Sequence, residues 1–181
     1  MTIRVLILPG LFNSGDAHWQ SQWERQFPDL HRVEQRDWET PVAADWIERL
    51  NLEVAAAEGE VVLVAHSLAC TLITLWAQQY PDNRKVRGAL LVAPSDTEAD
   101  SYPSGTRGFT PMSMQRLPFP TITVASTDDP YVTTERARVF AQAWGSELVW
   151  LESAGHINGQ SGYGPWPEGL ELLGSLTGAL G

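Results

Sequence analysis

A serine lodged between a buried strand and a helix occupies a nucleophile's position, and one stretch of this chain has that form. Val61-Val-Leu-Val-Ala65-His66-Ser67-Leu68-Ala69 runs from a near-continuous apolar segment straight into an apolar helical pattern. Such a junction forces a sharp turn. The turn lifts the serine hydroxyl above the sheet and aims the next backbone N–H, that of Leu68, at the place where an oxyanion would develop. It tolerates only small residues two before and two after the serine. Ala65 and Ala69 stand there, where the usual pattern has glycine. The competing reading of Ser67 is a helix N-cap.

A serine hydroxyl attacks only when a base takes its proton and a carboxylate orients that base. Two downstream segments carry such groups. The run Thr121 to Ala125 leads into Ser126-Thr-Asp128-Asp129-Pro130, and the run Glu147 to Leu151 leads into Glu152-Ser-Ala-Gly155-His156-Ile-Asn158. Taken singly, an aspartate before proline opens a turn and a loop histidine packs. Taken together, serine, aspartate and histidine follow three predicted strands in the chain order of an α/β-hydrolase. A second oxyanion donor is expected after the first strand, in Pro9-Gly10-Leu11-Phe12-Asn13-Ser14-Gly15, from the N–H of Leu11 or Phe12. The alternative, a phosphate-binding glycine loop, lacks both a following Lys-Ser/Thr pair and the G-x-G-x-x-G spacing.

The elements that must position these residues are legible as an alternation. Ile3 to Leu8, Val61 to Ala65, Ala89 to Ala93 and Thr121 to Ala125 are near-continuous apolar or β-branched runs, as strands buried on both faces are. Weaker runs at His31 to Gln35 and Glu147 to Leu151 complete six strands. The N-terminal run lacks a basic flank and a cleavage site, so it reads as a strand and not as a signal peptide. Helical patterns fill the gaps: Ala17 to Phe27; Val42 to Ala57, with Thr40 as N-cap and Pro41 at the first helical position; Leu68 to Tyr80; Thr134 to Trp144, closed by Gly145; and a last one marked by Leu170, Leu173, Leu176 and Leu180. Strands alternating with helices predict an open α/β sheet with helices on both faces. Pro94 to Pro118 and Gly155 to Pro167 interrupt the alternation as long loops, and long loops in compact domains are usually functional or mobile.

Composition sets the bounds. The chain has 181 residues, enough for one domain over positions 1–181 with a substantial core. Lysine and arginine number 12 against 22 aspartates and glutamates, for a formal charge of -10, so nucleic acid and anionic membrane surfaces are excluded as partners. No stretch approaches the roughly 20 apolar residues of a membrane span. The one cysteine, Cys70, reads as a small buried thiol, and its solitude fits a reducing, cytoplasmic setting. His66 is expected to pack or hydrogen-bond, and His18 with Trp19 to brace the loop after the first strand. Asn13, His18, His66, Asn158 and Trp166 are the candidates for lining the site. His18, His66 and His156 have no metal-ligand spacing, so no metal is expected.

The sequence resembles the small serine hydrolases of the α/β-hydrolase superfamily that include retinoblastoma-binding protein nine and its bacterial relatives. The likeness covers essentially the whole chain. It rests on Pro9-Gly10 with Ser14, then His18-Trp19 and Trp23; on His66-Ser67; on Ser126-Thr-Asp-Asp129-Pro; and on Gly155-His156-Ile-Asn158 continuing through Ser161-Gly162, Gly164 and Trp166-Pro-Glu-Gly169. The alternation of elements predicts a three-layer α/β/α fold with a mostly parallel six-stranded sheet, the length leaves no room for a large cap, and the resemblance implies the strand order 2-1-3-4-5-6. It also implies Ser67 as nucleophile, Asp129 as acid and His156 as base. The expected activity is hydrolysis of a small-molecule ester by acyl transfer to water, with no cofactor and no protein partner indicated. The rival expectation is a binding module on the same scaffold, holding an acyl ligand or a protein over the serine.

Overall fold

Four apolar runs become the centre of one parallel sheet. The computed structural model describes residues 3–178; Leu180, used in the sequence reading, lies outside them. Among the described residues the strands are β1 (Ile3–Leu8), β2 (Leu30–Arg32), β3 (Glu60–His66), β4 (Val86–Val92), β5 (Thr121–Ser126) and β6 (Glu147–Leu151). They pair in the order β2-β1-β3-β4-β5-β6, every pair parallel. The helices are α1 (Trp19–Gln26), α2 (Ala43–Ala56), α3 (Leu68–Gln79), α4 (Thr134–Trp144) and α5 (Pro167–Thr177).

Strand side chains alternate between two buried faces, which is why the central strands are near-continuously apolar or β-branched along their middles. Leu6, Leu8, Leu63, Ala65, Ala89 and Leu91 point to the face covered by α2, α3 and α4. Val5, Ile7, Val62, Val64, Leu90 and Val92 point to the face covered by α1 and α5. The result is the three-layer α/β/α architecture of an α/β-hydrolase. None of the helices among the described residues is long and apolar enough to cross a membrane.

Two local expectations need correction. Thr40 does not cap α2. Its amide and hydroxyl are both taken by the Asp37 carboxylate. Residues 41–43 instead bond in strand fashion to Arg107, which donates to the Pro41 carbonyl and accepts from the Ala43 amide, so the helix starts only at Ala43 behind Val42. Strand β2 ends at Arg32, shorter than the predicted His31 to Gln35; the Val33 amide makes one last bond to the Ile7 carbonyl, beyond which β1 has only Leu8 left.

All six strands end toward the same edge, and the loops leaving β1, β3, β5 and β6 there deliver the residues singled out above. The long segment after β4 is anchored rather than loose. Asp96 and Glu98 both pair with Arg136 on α4, the Thr97 hydroxyl donates to the Phe109 carbonyl, and Phe109, Met112, Leu117 and Phe119 are buried.

Candidate active site

The turn between β3 and α3 is as tight as its sequence requires. Ser67 has φ 57° and ψ -122°, a conformation that only a closely determined turn imposes on a residue with a side chain. Ala65 and Ala69 are fully buried. The turn is also pressed by the loop that leaves β1. A Cβ on Gly10 would lie 2.8 Å from the His66 carbonyl oxygen and 2.9 Å from the Ser67 Cβ, so only glycine lets the two segments meet.

That close approach brings the loop after β1 against the first turn of α3, and each segment holds, among the described residues, a backbone amide without a partner. Leu68 is the first residue of α3, where an amide has no partner within the helix. The Leu11 amide likewise has no hydrogen bond among the described residues. Phe12 is different: its N–H donates to the Trp38 carbonyl at 2.8 Å and is spent there. Of the two expected alternatives after β1, only the Leu11 amide is without a partner among the described residues. Phe12 contributes its side chain instead, 64% exposed at the pocket rim and held out by a backbone φ of 66°.

Ser67, His156 and Asp129 come together from three loops. Ser67 Oγ lies 2.9 Å from His156 Nε2, and His156 Nδ1 lies 2.9 Å from both carboxylate oxygens of Asp129. The carboxylate side chain is wholly buried and accepts from Nδ1, which therefore carries a proton; in that tautomer Nε2 is the ring nitrogen left to accept from the serine. Asp129 Oδ1 also accepts from the Tyr131 amide, which fixes its rotamer. Asp128, one residue earlier, faces away. Its Oδ1 accepts from Ser126 Oγ at 2.7 Å and from the Gly155 amide at 2.8 Å, bonds that favour the ionised form and lower its pKa. It splices the loop after β5 to the loop after β6.

The remaining sequence candidates divide. Asn13, His18, His66 and Asn158 line a pocket of about 550 Å³ over Ser67, a size suited to a small molecule. Asn13 Oδ1 accepts from the Ser14 amide and from Arg32, so it shapes its own loop. Asn158 caps the short 3₁₀ turn Gly159–Ser161. His18 caps α1: its Nδ1 accepts from the Gln20 amide at 3.1 Å, and burial beside His156 and Arg32 lowers its pKa to about 3. Trp166 does not line the pocket. It stacks on Trp23 and meets Trp19 edge-on, in room left by Gly169, where a Cβ would strike the indole at 2.4 Å. Cys70 is fully buried, and burial pushes its thiol pKa far up.

Three contributors escaped the sequence reading. Tyr102 and Tyr131 line the pocket, and the Tyr131 ring meets the His156 ring edge-on at 4.6 Å. Burial raises the Tyr102 phenol to about 12. Gln20, fully buried, donates to the carbonyls of Leu8 and Val64 and accepts from Ser14 Oγ, clamping the ends of β1 and β3. A glutamine between Trp19 and Trp23 on an apolar helix face was the available signal. The tyrosines follow no period, and only the strand-end rule could have drawn attention to Tyr131.

A family profile described as "Serine hydrolase" matches residues 5–175. The YdeN-like hydrolase of Pectobacterium atrosepticum is 35% identical over 99% of this chain and 92% of its own, with a TM-score of 0.87. The ydeN gene product of B. subtilis is 23% identical, covering 98% of this chain and 100% of its own, with a TM-score of 0.76. Thermogutta terrifontis esterase 2 is 20% identical, covering 99% and 84%, with a TM-score of 0.68. The latter two carry the likeness of fold alone. No curated protein is similar enough to match. With its sheet order, the family match across nearly the whole chain and a relative more than a third identical, the chain belongs to the serine hydrolase family, on the α/β-hydrolase fold.

Proposed function

We propose that the protein is a serine esterase that hydrolyses small, uncharged carboxylic esters through an acyl-enzyme. The observation that carries this reading is the unbroken chain Ser67 Oγ, His156 Nε2, His156 Nδ1, Asp129 carboxylate, with 2.9 Å at each link. His156 takes the Ser67 proton as Oγ attacks the ester carbonyl, and Asp129 stabilises the imidazolium and holds its tautomer. The Leu11 and Leu68 amides receive the oxyanion; each such donor is worth about 10²–10³ in rate. The imidazolium then gives its proton to the departing alkoxide. Water enters, His156 deprotonates it, and the acid leaves as Ser67 recovers its proton.

The pocket supports an uncharged substrate. Its lining has no lysine or arginine, and its one charged residue is the acidic Asp16. A carboxylate or phosphate on the substrate would enter without a partner, against a chain of formal charge -10. Phe12, Tyr102 and Tyr131 offer aromatic surface to an acyl or alcohol group. Esterase activity in a structural neighbour, Thermogutta terrifontis esterase 2, agrees with this choice of ester over other acyl compounds. A panel of p-nitrophenyl esters of rising chain length tests the proposal. Hydrolysis of the shorter esters, abolished by Ser67→Ala in a folded protein, is expected. A folded wild type inert to every ester, or a fully active Ser67→Ala, would favour the binding-module reading or another nucleophile.

A further inference from the structure

His66 takes no part in the chemistry above, yet it joins the two halves of the site. It ends β3, immediately before the nucleophile, and is 5% exposed. Its Nε2 lies 2.8 Å from the backbone carbonyl oxygen of His156, 90 residues away. A carbonyl only accepts, so Nε2 bears the proton and donates. The ring is held between two others, 4.6 Å from His18 and 4.8 Å from His156, both edge-on.

The segment receiving this bond needs holding. Ile157, directly after the base, has φ 47°, a left-handed conformation costly for a β-branched residue. Two buried donors grip successive carbonyls across the strained point: His66 Nε2 on His156, and Trp19 Nε1 on Ile157 at 2.9 Å. Were the loop to relax, both donors would be left unpaired in the interior. We propose that His66 is a positioning residue, its Nε2–H fastening the backbone of His156 to the nucleophile turn so that base and serine keep their 2.9 Å separation. The inference rests on the serine-esterase reading. Burial, with His18 and His156 nearby, holds the His66 pKa well below its ordinary value, so the ring stays a neutral donor and does not compete with His156 for the serine proton.

The test compares His66→Leu, which removes the donor, with His66→Gln, whose amide nitrogen reaches about as far as Nε2. On p-nitrophenyl acetate, His66→Leu is expected to lower kcat about 10²-fold, the cost of a base displaced by roughly 1 Å, with KM within about twofold. His66→Gln is expected to recover at least about tenfold of that loss. A folded His66→Leu with wild-type kcat, or a folded His66→Gln no better than it, overturns the proposal. Should His66→Leu not fold, nitrogen NMR of the wild-type histidines decides: a slowly exchanging Nε2–H on a neutral His66 supports the contact, and an Nδ1–H tautomer refutes it. A wild type inert to esters sinks the functional reading together with this one, whereas an active wild type indifferent to His66 sinks this one alone.

Discussion

Gly10→Ala adds one methyl group at the contact between the loop after β1 and the turn at Ser67. The new Cβ would stand 2.8 Å from the His66 carbonyl oxygen, 2.9 Å from the Ser67 Cβ and 3.2 Å from the Leu68 nitrogen. Comfortable carbon contacts lie at about 3.5–4.0 Å, so the segments must part by roughly 0.5–1 Å. None of the three atoms is a flexible tip; each belongs to the backbone or to the root of the nucleophile. The separation therefore widens the gap between the Leu11 and Leu68 amides that would share the oxyanion. Misplacement on that scale costs about 10² in rate, and a lost oxyanion donor about 10²–10³. The expected result is a fall of about 10²-fold or more in kcat/KM for p-nitrophenyl acetate, carried by kcat. Overpacking should cost about 1–3 kcal/mol of stability, read by urea unfolding. Gly15→Ala, in the same loop but with nothing within 4 Å of its new Cβ, is the control and should stay within a few-fold of wild type. A folded Gly10→Ala with wild-type kcat/KM would show that the oxyanion is not held between these two segments.

Three further outcomes are expected. Asp129→Asn should leave the fold intact and lower kcat by about 10⁴, because an amide cannot hold the Nδ1–H tautomer; Asp128→Asn, whose Oδ1 still accepts from Ser126 and Gly155, should stay within about tenfold in the same ester assay. A reversed ranking would move the acid by one residue. Stability should fall on acidification below about pH 6.5, since the unfolded chain protonates His18 and His66 while the fold keeps both neutral. Each ring then contributes a loss of about 1.4 kcal/mol per pH unit, for His18 down to its folded value of about 3. Urea titrations from pH 7 to 5 check this, and a flat profile, or one unchanged in His18→Phe, would contradict it. Cys70 should resist iodoacetamide in the native protein and react only after unfolding, as its burial and raised thiol pKa require; rapid native alkylation would refute that placement.

The sheet was legible because burial on both faces leaves a simple mark: four near-continuous apolar or β-branched runs point to central, parallel strands. The serine, aspartate and histidine were legible because each follows a strand at the edge where such sheets bind ligands. What escaped was set by tertiary partners. Nothing near Thr40 announces that Arg107 will bond residues 41 and 43 and delay the helix. Nothing near Phe12 says that its amide belongs to Trp38, 26 residues on. Trp166 sits beside the histidine loop in sequence, but its αL backbone (φ 37°) leaves the indole among Trp19 and Trp23 in the core. The choice between Asp128 and Asp129 came from family resemblance. In the structure the reason is physical: the first carboxylate is consumed by Ser126 and Gly155, and the second faces His156.

The central claim is that Ser67 is a nucleophile activated by His156. A fluorophosphonate probe tests it most directly, because it phosphonylates only an activated serine. After incubation of the folded protein, intact-mass and peptide-mapping spectrometry should find a single adduct on Ser67, absent from Ser67→Ala and formed at least about 10²-fold more slowly in His156→Ala. A folded wild type that takes up no probe, or that carries it on another residue, would contradict the account.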